Sequence, residues 1–368
     1  MTPDIKAARE LEQNAQVIAR RSCFHLITTY SDLESGFGAD AQKIWTEHLH
    51  ERIQEISTAI AAGDYNLFAN QIEWSRQALE YRELKPDELY KSLESLRAGV
   101  EQSLEGDTQR TVMECIDVAL ASRFQNIGKA LGSQLDAGME HDRLALLYLQ
   151  SVLSGNSAEG MQIVIDAVDH GLSVRDAYLN VLLPAQQEVG RLWHAHDLTI
   201  TEEHLVSYTT QRLMAVLADR AECRSDNGLT MLAGTVADNP HDMGIRAVSY
   251  LFEFNGWRTI YLGSDLPRSE LPAAIEIFEV DLVCLSVALP SQIPAARRSI
   301  EEIHHKCTRP TQVMLGGNGL VNAPELWKEL GADGYARTAD EALQMGLELA
   351  QKTRPAGLSS EQTFKAVK

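Results

Sequence analysis

The chain has 368 residues, more than one compact core usually encloses, so two or three domains are expected. With 44% apolar and 23% charged residues its composition is that of a soluble protein, and a formal net charge of -19 repels both nucleic-acid phosphate and anionic lipid. The five cysteines, Cys23, Cys115, Cys223, Cys284 and Cys307, form no Cys-x-x-Cys pair, which argues against a disulfide framework or a zinc site.

The opening "MTPDIKAARELEQNAQVIARR" lacks the apolar core of a signal peptide, and no stretch approaches the roughly 18 uninterrupted apolar residues of a membrane span. A cytoplasmic protein with no membrane contact is expected. Residues 1–138 are rich in Ala, Leu, Glu, Gln and Arg, with apolar residues at helical spacing in "LHERIQEISTAIAAG" and "YKSLESLRAGVEQSL", which predicts an all-helical domain. Its aromatics Tyr30, Trp45, Tyr65, Phe68, Trp74 and Tyr81 have the spacing of a helical core, and could also line a chromophore pocket. Residues 139–222 predict a four-helix bundle punctuated by Gly155, Gly171 and Pro184. Beyond the polar "ECRSDNG" the pattern changes to short apolar runs alternating with helical segments: "LTMLAGTV", "RTIYLG", "DLVCLSVAL", "TQVMLGG" and "DGYARTA". Five such units over 228–354 predict a flavodoxin-like, doubly wound, five-stranded parallel sheet, followed by a polar tail at 355–368.

Ligands of open parallel sheets bind beyond the carboxyl ends of the strands. "NPHDMG" (239–244) falls there after the first strand, "LGSDLP" (262–267) with Asp265 after the second, Ser286 after the third, and "GGNG" with Gly316 and Gly317 after the fourth. The first turn has no G-x-G-x-x-G, which disfavours a dinucleotide. His-Asp-Met-Gly, Gly-Ser-Asp-Leu-Pro, Ser286 and Gly-Gly occur in an order that resembles cobalamin-binding domains over 228 to about 352. The resemblance implies that His241 replaces the vitamin's dimethylbenzimidazole as lower cobalt ligand. It further implies that the nucleotide tail enters along the sheet past Asp242, Met243 and Gly244. Neutral imidazole suits a borderline transition metal, and a turn can carry it to the ring. Asn239 stands where the family usually has an acid, and is expected to orient the imidazole without adding charge.

In the helical block, "WHAHDLTITEEH" is similar to the Trp, Glu-His signature in the cap of light-sensing cobalamin proteins of the CarH type. By that resemblance Trp193 and Ile200 cover an upper-face adenosyl group and Glu203 binds its polar atoms. His204 becomes the upper cobalt ligand after light breaks the cobalt-carbon bond. A plainer alternative makes Trp193 an interhelical core residue, and Glu203 and His204 a solvated helix start capped by Thr201. His194 and His196 lack metal-site spacing, and His304 and His305 are expected on an exposed helix end. CarH-type receptors carry a helix-turn-helix, whereas the N-terminal third here is acidic and has no basic recognition helix. No DNA binding is therefore expected; output is expected through a protein partner of the helical N-terminal domain, with a homo-oligomer. The architecture also resembles photocobilins, which adds biliverdin as a candidate second chromophore. The preferred expectation is an adenosylcobalamin light sensor rather than an enzyme. The alternative is a corrinoid methyl carrier of a methyltransferase system, while a mutase lacks room for a catalytic barrel.

Overall fold

The structure, a computed structural model, describes residues 4–30, 40–81, 87–122, 133, 135–195, 197–321, 323 and 325–353. It divides into two compact units, Met1–Ala130 and Leu131–Lys368. Unit 1 is helical: α1 (Ile5–Thr29), α2 (Ala41–Ala62), α3 (Asn66–Tyr81), α4 (Asp87–Glu101) and α5 (Gly106–Ser122). Asp4 caps α1 by accepting from the Ala7 N–H (2.9 Å), and α1 buries Ala8, Leu11, Ala15, Ile18, Ala19 and Leu26 at three- and four-residue spacing. A Cβ on Gly99 of α4 would stand 2.0 Å from Ser22 Oγ, so glycine there permits the close approach of α1 and α4.

Unit 2 begins with the predicted bundle: α6 (Glu140–Leu153), α7 (Ser157–Asp169), α8 (174–194) and α9 (Ile200–Ala218). Gly155 (φ +86°) and Gly171 (φ +112°) end α6 and α7 as expected, because only glycine adopts such angles without strain. Pro184 does not end a helix. Instead α8 continues as Val174–Asp176, a π-helical stretch Ala177–Leu182, and Leu183–His194. The wider π turn absorbs a residue that has no N–H and whose ring would strike the carbonyl four residues back. The N-cap of α9 is Thr199 rather than Thr201: Thr199 and Glu202 form a reciprocal capping box.

The α/β part follows as β1 (Thr230–Thr235), α10 (Met243–Phe254), β2 (Arg258–Gly263), α11 (Leu271–Phe278), β3 (Leu282–Ser286), α12 (Ile293–Lys306), β4 (Gln312–Gly316), α13 (Leu326–Leu330), β5 (Gly334–Ala336) and α14 (Ala339–Thr353). All strands are parallel in the order β2-β1-β3-β4-β5, the expected flavodoxin-like arrangement. Every residue of β1 is buried, as its uninterrupted apolar run requires of a central strand. His304 and His305 lie exposed in the last turn of α12.

One core joins bundle to sheet. Tyr148, Tyr178, Val181, Leu213 and Leu217 of the bundle pack with Ala247, Leu251 and Phe254 of α10. The Tyr178 ring meets Tyr250 and Phe254 at 5.7 and 5.9 Å, and its hydroxyl donates to the Met214 carbonyl (2.5 Å). Arg175 of α8 pairs with Asp340 of α14. Among the described residues, no helix is long and apolar enough to cross a membrane.

Candidate functional site

The loops at the carboxyl edge of the sheet are tied to one another through short polar side chains. Asn239 is fully buried; its Nδ2 donates to the Ser286 carbonyl and its Oδ1 accepts from the His241 backbone N–H, both at 3.0 Å. Thr235 Oγ1 donates to the Asn239 carbonyl (2.5 Å) and accepts from the Asp265 N–H (2.8 Å). Asp265, at φ +56°, accepts from the Asp238 N–H (2.8 Å), and Gln292 Nε2 donates to the Asp238 carbonyl (3.1 Å). The loops after β1, β2 and β3 therefore form one braced rim.

On that rim the His241 side chain is exposed, and its ring takes part in no hydrogen bond among the described residues. Asn239 thus orients the turn and not the imidazole, which differs from the expectation: its amide nitrogen donates to the Ser286 carbonyl and its amide oxygen accepts from the His241 backbone N–H. Asp242 is buried and its Oδ2 accepts from Arg246 (2.7 Å) and Tyr261 (2.5 Å), with the Arg246 guanidinium 4.8 Å above the Tyr261 ring. Burial, and then the Asp242 carboxylate, push the Tyr261 phenol well above its ordinary range. That carboxylate is committed to fastening the start of α10 to β2. Met243 packs against the core shared with the bundle, as does Trp193.

Three glycines leave backbone open or force it close. A Cβ on Gly244 meets nothing within 4 Å, and one on Gly316 meets only the Ala336 carbonyl, at 3.3 Å. Gly317 is different: its φ is +103° and a Cβ would stand 2.3 Å from the Val287 carbonyl oxygen. Ser286 is half-buried at the end of β3, its carbonyl accepting from Asn239 and from the Val236 N–H.

The bundle supplies the second group. Trp193 is half-buried near the end of α8, and Ile200 opens α9 with 61% of its surface exposed. Glu203 and His204 are in direct contact, Nδ1 to Oε2 at 2.6 Å, and the His204 ring meets Tyr208 edge-on at 6.1 Å. Glu203 Oε1 accepts from Ser207 (2.6 Å), which also reaches Gln186 of α8 (3.0 Å). Gln186, Ser207 and Tyr208 were not singled out in the sequence. The four-residue spacing from Glu203 and His204 marks Ser207 and Tyr208, whereas nothing local marks Gln186. His194 is buried, and His196 lies outside the described residues.

A corrinoid fits these donors. Among the described residues no group of three or more His, Cys, Asp and Glu side chains could hold a bare metal ion. A macrocycle that brings its own equatorial nitrogens needs only an axial imidazole and backbone it can lie against. His241 offers the first, and Gly244 and Gly316 the second.

In unit 1 two of the six candidate chromophore aromatics are buried packing residues. Phe68 is in the core, Trp45 is buried edge-on to His48 at 5.6 Å, and the Tyr30 hydroxyl donates to Glu94 (2.6 Å). Tyr65 is half-buried, and the side chains of Trp74 and Tyr81 lie outside the described residues.

A family model described as B12 binding domain matches residues 229–344, and a second of the same description matches 147–218. The chain is 24% identical over 208 residues to a corrinoid protein of Desulfitobacterium hafniense, covering 55% of this chain and 95% of that protein. It is 33% identical over 119 residues to dimethylamine corrinoid protein 3 of Methanosarcina mazei, covering 32% of this chain and 69% of that one. With the transcriptional repressor CarH of Myxococcus xanthus it shares 28% identity over 172 residues, 46% of this chain and 54% of CarH. The fold of the monomethylamine corrinoid protein of Methanosarcina barkeri superposes with a TM-score of 0.50 at 19% identity, over 57% of this chain and all of that one. The chain is a cobalamin-binding corrinoid protein and belongs to the B12-binding family.

Proposed function

We propose that this protein is a corrinoid carrier that presents the upper face of its cobalamin to a methyltransferase partner. The observation that carries this reading is the span of the likeness: a match over 208 residues covers 95% of a corrinoid protein, and other relatives are named for mono- and dimethylamine. The cofactor, when bound, supplies a cobalt-carbon bond that can be made and broken. His241 would be its lower ligand, Gly244, Gly316 and Gly317 would give it backbone to lie along, and Ser286 would line its path. The rim built on Asn239, Asp265 and Asp242 keeps these residues in register. Trp193, in the bundle, would exclude water from the upper face.

A second reading, an adenosylcobalamin light sensor, is favoured by one specific observation, the Glu203–His204 pair. In that reading Trp193 and Ile200 cover the adenosyl group, Glu203 meets its polar atoms, and His204 stands ready for the site it leaves. Unit 1 would then pass the signal to a protein partner or a second copy of the chain, with biliverdin as an additional chromophore and no role for DNA.

Affinities for methylcobalamin and adenosylcobalamin, with particle size measured in the dark and after green and red light, separate the two. A carrier binds the methyl form at least as tightly and keeps its size under illumination. A preference for the adenosyl form with a light-dependent change of size replaces the carrier by the sensor.

A further inference from the structure

The bundle contains a thread of side-chain hydrogen bonds running from its surface to its core. His204 Nδ1 lies 2.6 Å from Glu203 Oε2, and Ser207 Oγ 2.6 Å from Glu203 Oε1. Ser207 Oγ is also 3.0 Å from Gln186 Oε1; Gln186 Nε2 is 2.7 Å from Thr210 Oγ1, which is 2.7 Å from Tyr148 Oη. Tyr148 and Thr210 are fully buried, while the His204 side chain is 60% exposed. The thread crosses α6, α8 and α9.

Counting hydrogens gives the thread a direction. A carboxylate only accepts, so His204 Nδ1 must carry the hydrogen of its contact, and Ser207 must give its single hydroxyl hydrogen to Oε1. Ser207 then has none for Gln186. Turning the amide by half a revolution, which leaves its volume unchanged, presents Nε2 to Ser207 and Oε1 to Thr210. Thr210 gives its hydrogen to that oxygen rather than to the Val206 carbonyl at 2.9 Å, and Tyr148 gives its own to Thr210. Every donor now points towards Glu203, so its charge polarises each link.

We propose that this thread sets the tautomer of His204, with Ser207 and Gln186 as positioning residues that hold Glu203 against Nδ1. The hydrogen stays on Nδ1, and the lone pair on Nε2 is offered outward as a ligand for an electrophilic centre. An unrestrained imidazole in water favours the opposite tautomer, so the arrangement is one the protein imposes. That this centre is the cobalt of a bound cobalamin rests on the sensor reading above; the tautomer does not.

The test uses the full chain without cofactor. Long-range proton-nitrogen spectra of ring-labelled histidine are recorded at about pH 8.5, where an ordinary imidazole is neutral, and His204 is assigned by its loss in His204→Gln. The expected result is a dominant Nδ1–H form in the wild type and a several-fold shift towards Nε2–H in Ser207→Ala and in Gln186→Met. Should Gln186→Met not fold, Ser207→Ala decides alone, since it removes only a half-buried hydroxyl. A wild-type His204 with its hydrogen on Nε2, or a tautomer ratio that Ser207→Ala leaves unchanged, overturns the proposal. Failure of the protein to take up cobalamin would sink the carrier and sensor readings and leave this result standing.

Discussion

Gly316 and Gly317 stand side by side at the end of β4, yet replacing each by alanine should fail in different ways. At Gly317 the backbone has φ +103° and ψ 163°, a region open essentially to glycine alone, which costs another residue about 1–3 kcal/mol. The new Cβ would also lie 2.3 Å from the Val287 carbonyl oxygen and 2.8 Å from its carbon, backbone atoms that cannot rotate aside, adding roughly 1–3 kcal/mol of overpacking. Gly317→Ala should therefore lose about 2–6 kcal/mol, a large part of the 5–15 kcal/mol that holds a typical domain together. Gly316→Ala meets only one atom, at 3.3 Å, and restricts the unfolded chain, so its stability should change by less than about 1 kcal/mol. Its Cβ would instead occupy space in which a ligand can approach the backbone, and corrinoid affinity should drop about tenfold or more. Urea denaturation and titration with hydroxocobalamin read the two effects separately. Equal destabilisation by both changes, or an unaltered affinity in Gly316→Ala, would refute the account of this edge.

Further changes have equally defined outcomes. Asn239→Ala removes two partly buried hydrogen bonds at the rim and should cost about 2 kcal/mol in urea denaturation while weakening corrinoid binding. Tyr178→Phe keeps its ring contacts but loses the donation to Met214, and should lower stability by about 1–2 kcal/mol in thermal melts without touching affinity. In unit 1, burial holds Glu55 at about 7 despite Arg52, so the folded chain keeps a proton that the unfolded chain releases above 4.5, and stability falls as pH rises through that window. Burial and then Arg52 lower His48 to about 4 from 6.5, which gives the opposite slope between those values. The two offset each other in the wild type, so Glu55→Gln should show stability rising with pH from about 4 to 6.5 in urea titrations.

Five strands, their flavodoxin-like order and the helical bundle were legible because the buried parallel strands are short apolar runs and the glycines at 155 and 171 end helices. The cap of α9 is legible in the Thr-x-x-Glu spacing: Thr199 precedes Glu202 by three, while Thr201 has His204 in that place. What sequence could not give were partners distant along the chain. Asp242 meets Tyr261 on another strand, Asn239 spends its amide on Ser286, and Gln186 reaches Ser207 from a separate helix. Pro184 was misleading because a π turn lets the helix pass through it.

The proposed function turns on the imidazole of His241 as the lower ligand of a bound cobalamin. The most direct measurement is electron paramagnetic resonance of cob(II)alamin bound to wild-type protein grown with ordinary or 15N-labelled histidine. Ligation by His241 predicts axial nitrogen splitting that changes from a triplet to a doublet with the label and disappears in His241→Ala. A triplet indifferent to the label would mean that benzimidazole stays on the metal, and a spectrum without axial nitrogen splitting in the wild type would mean that no base is bound; either contradicts the role of His241.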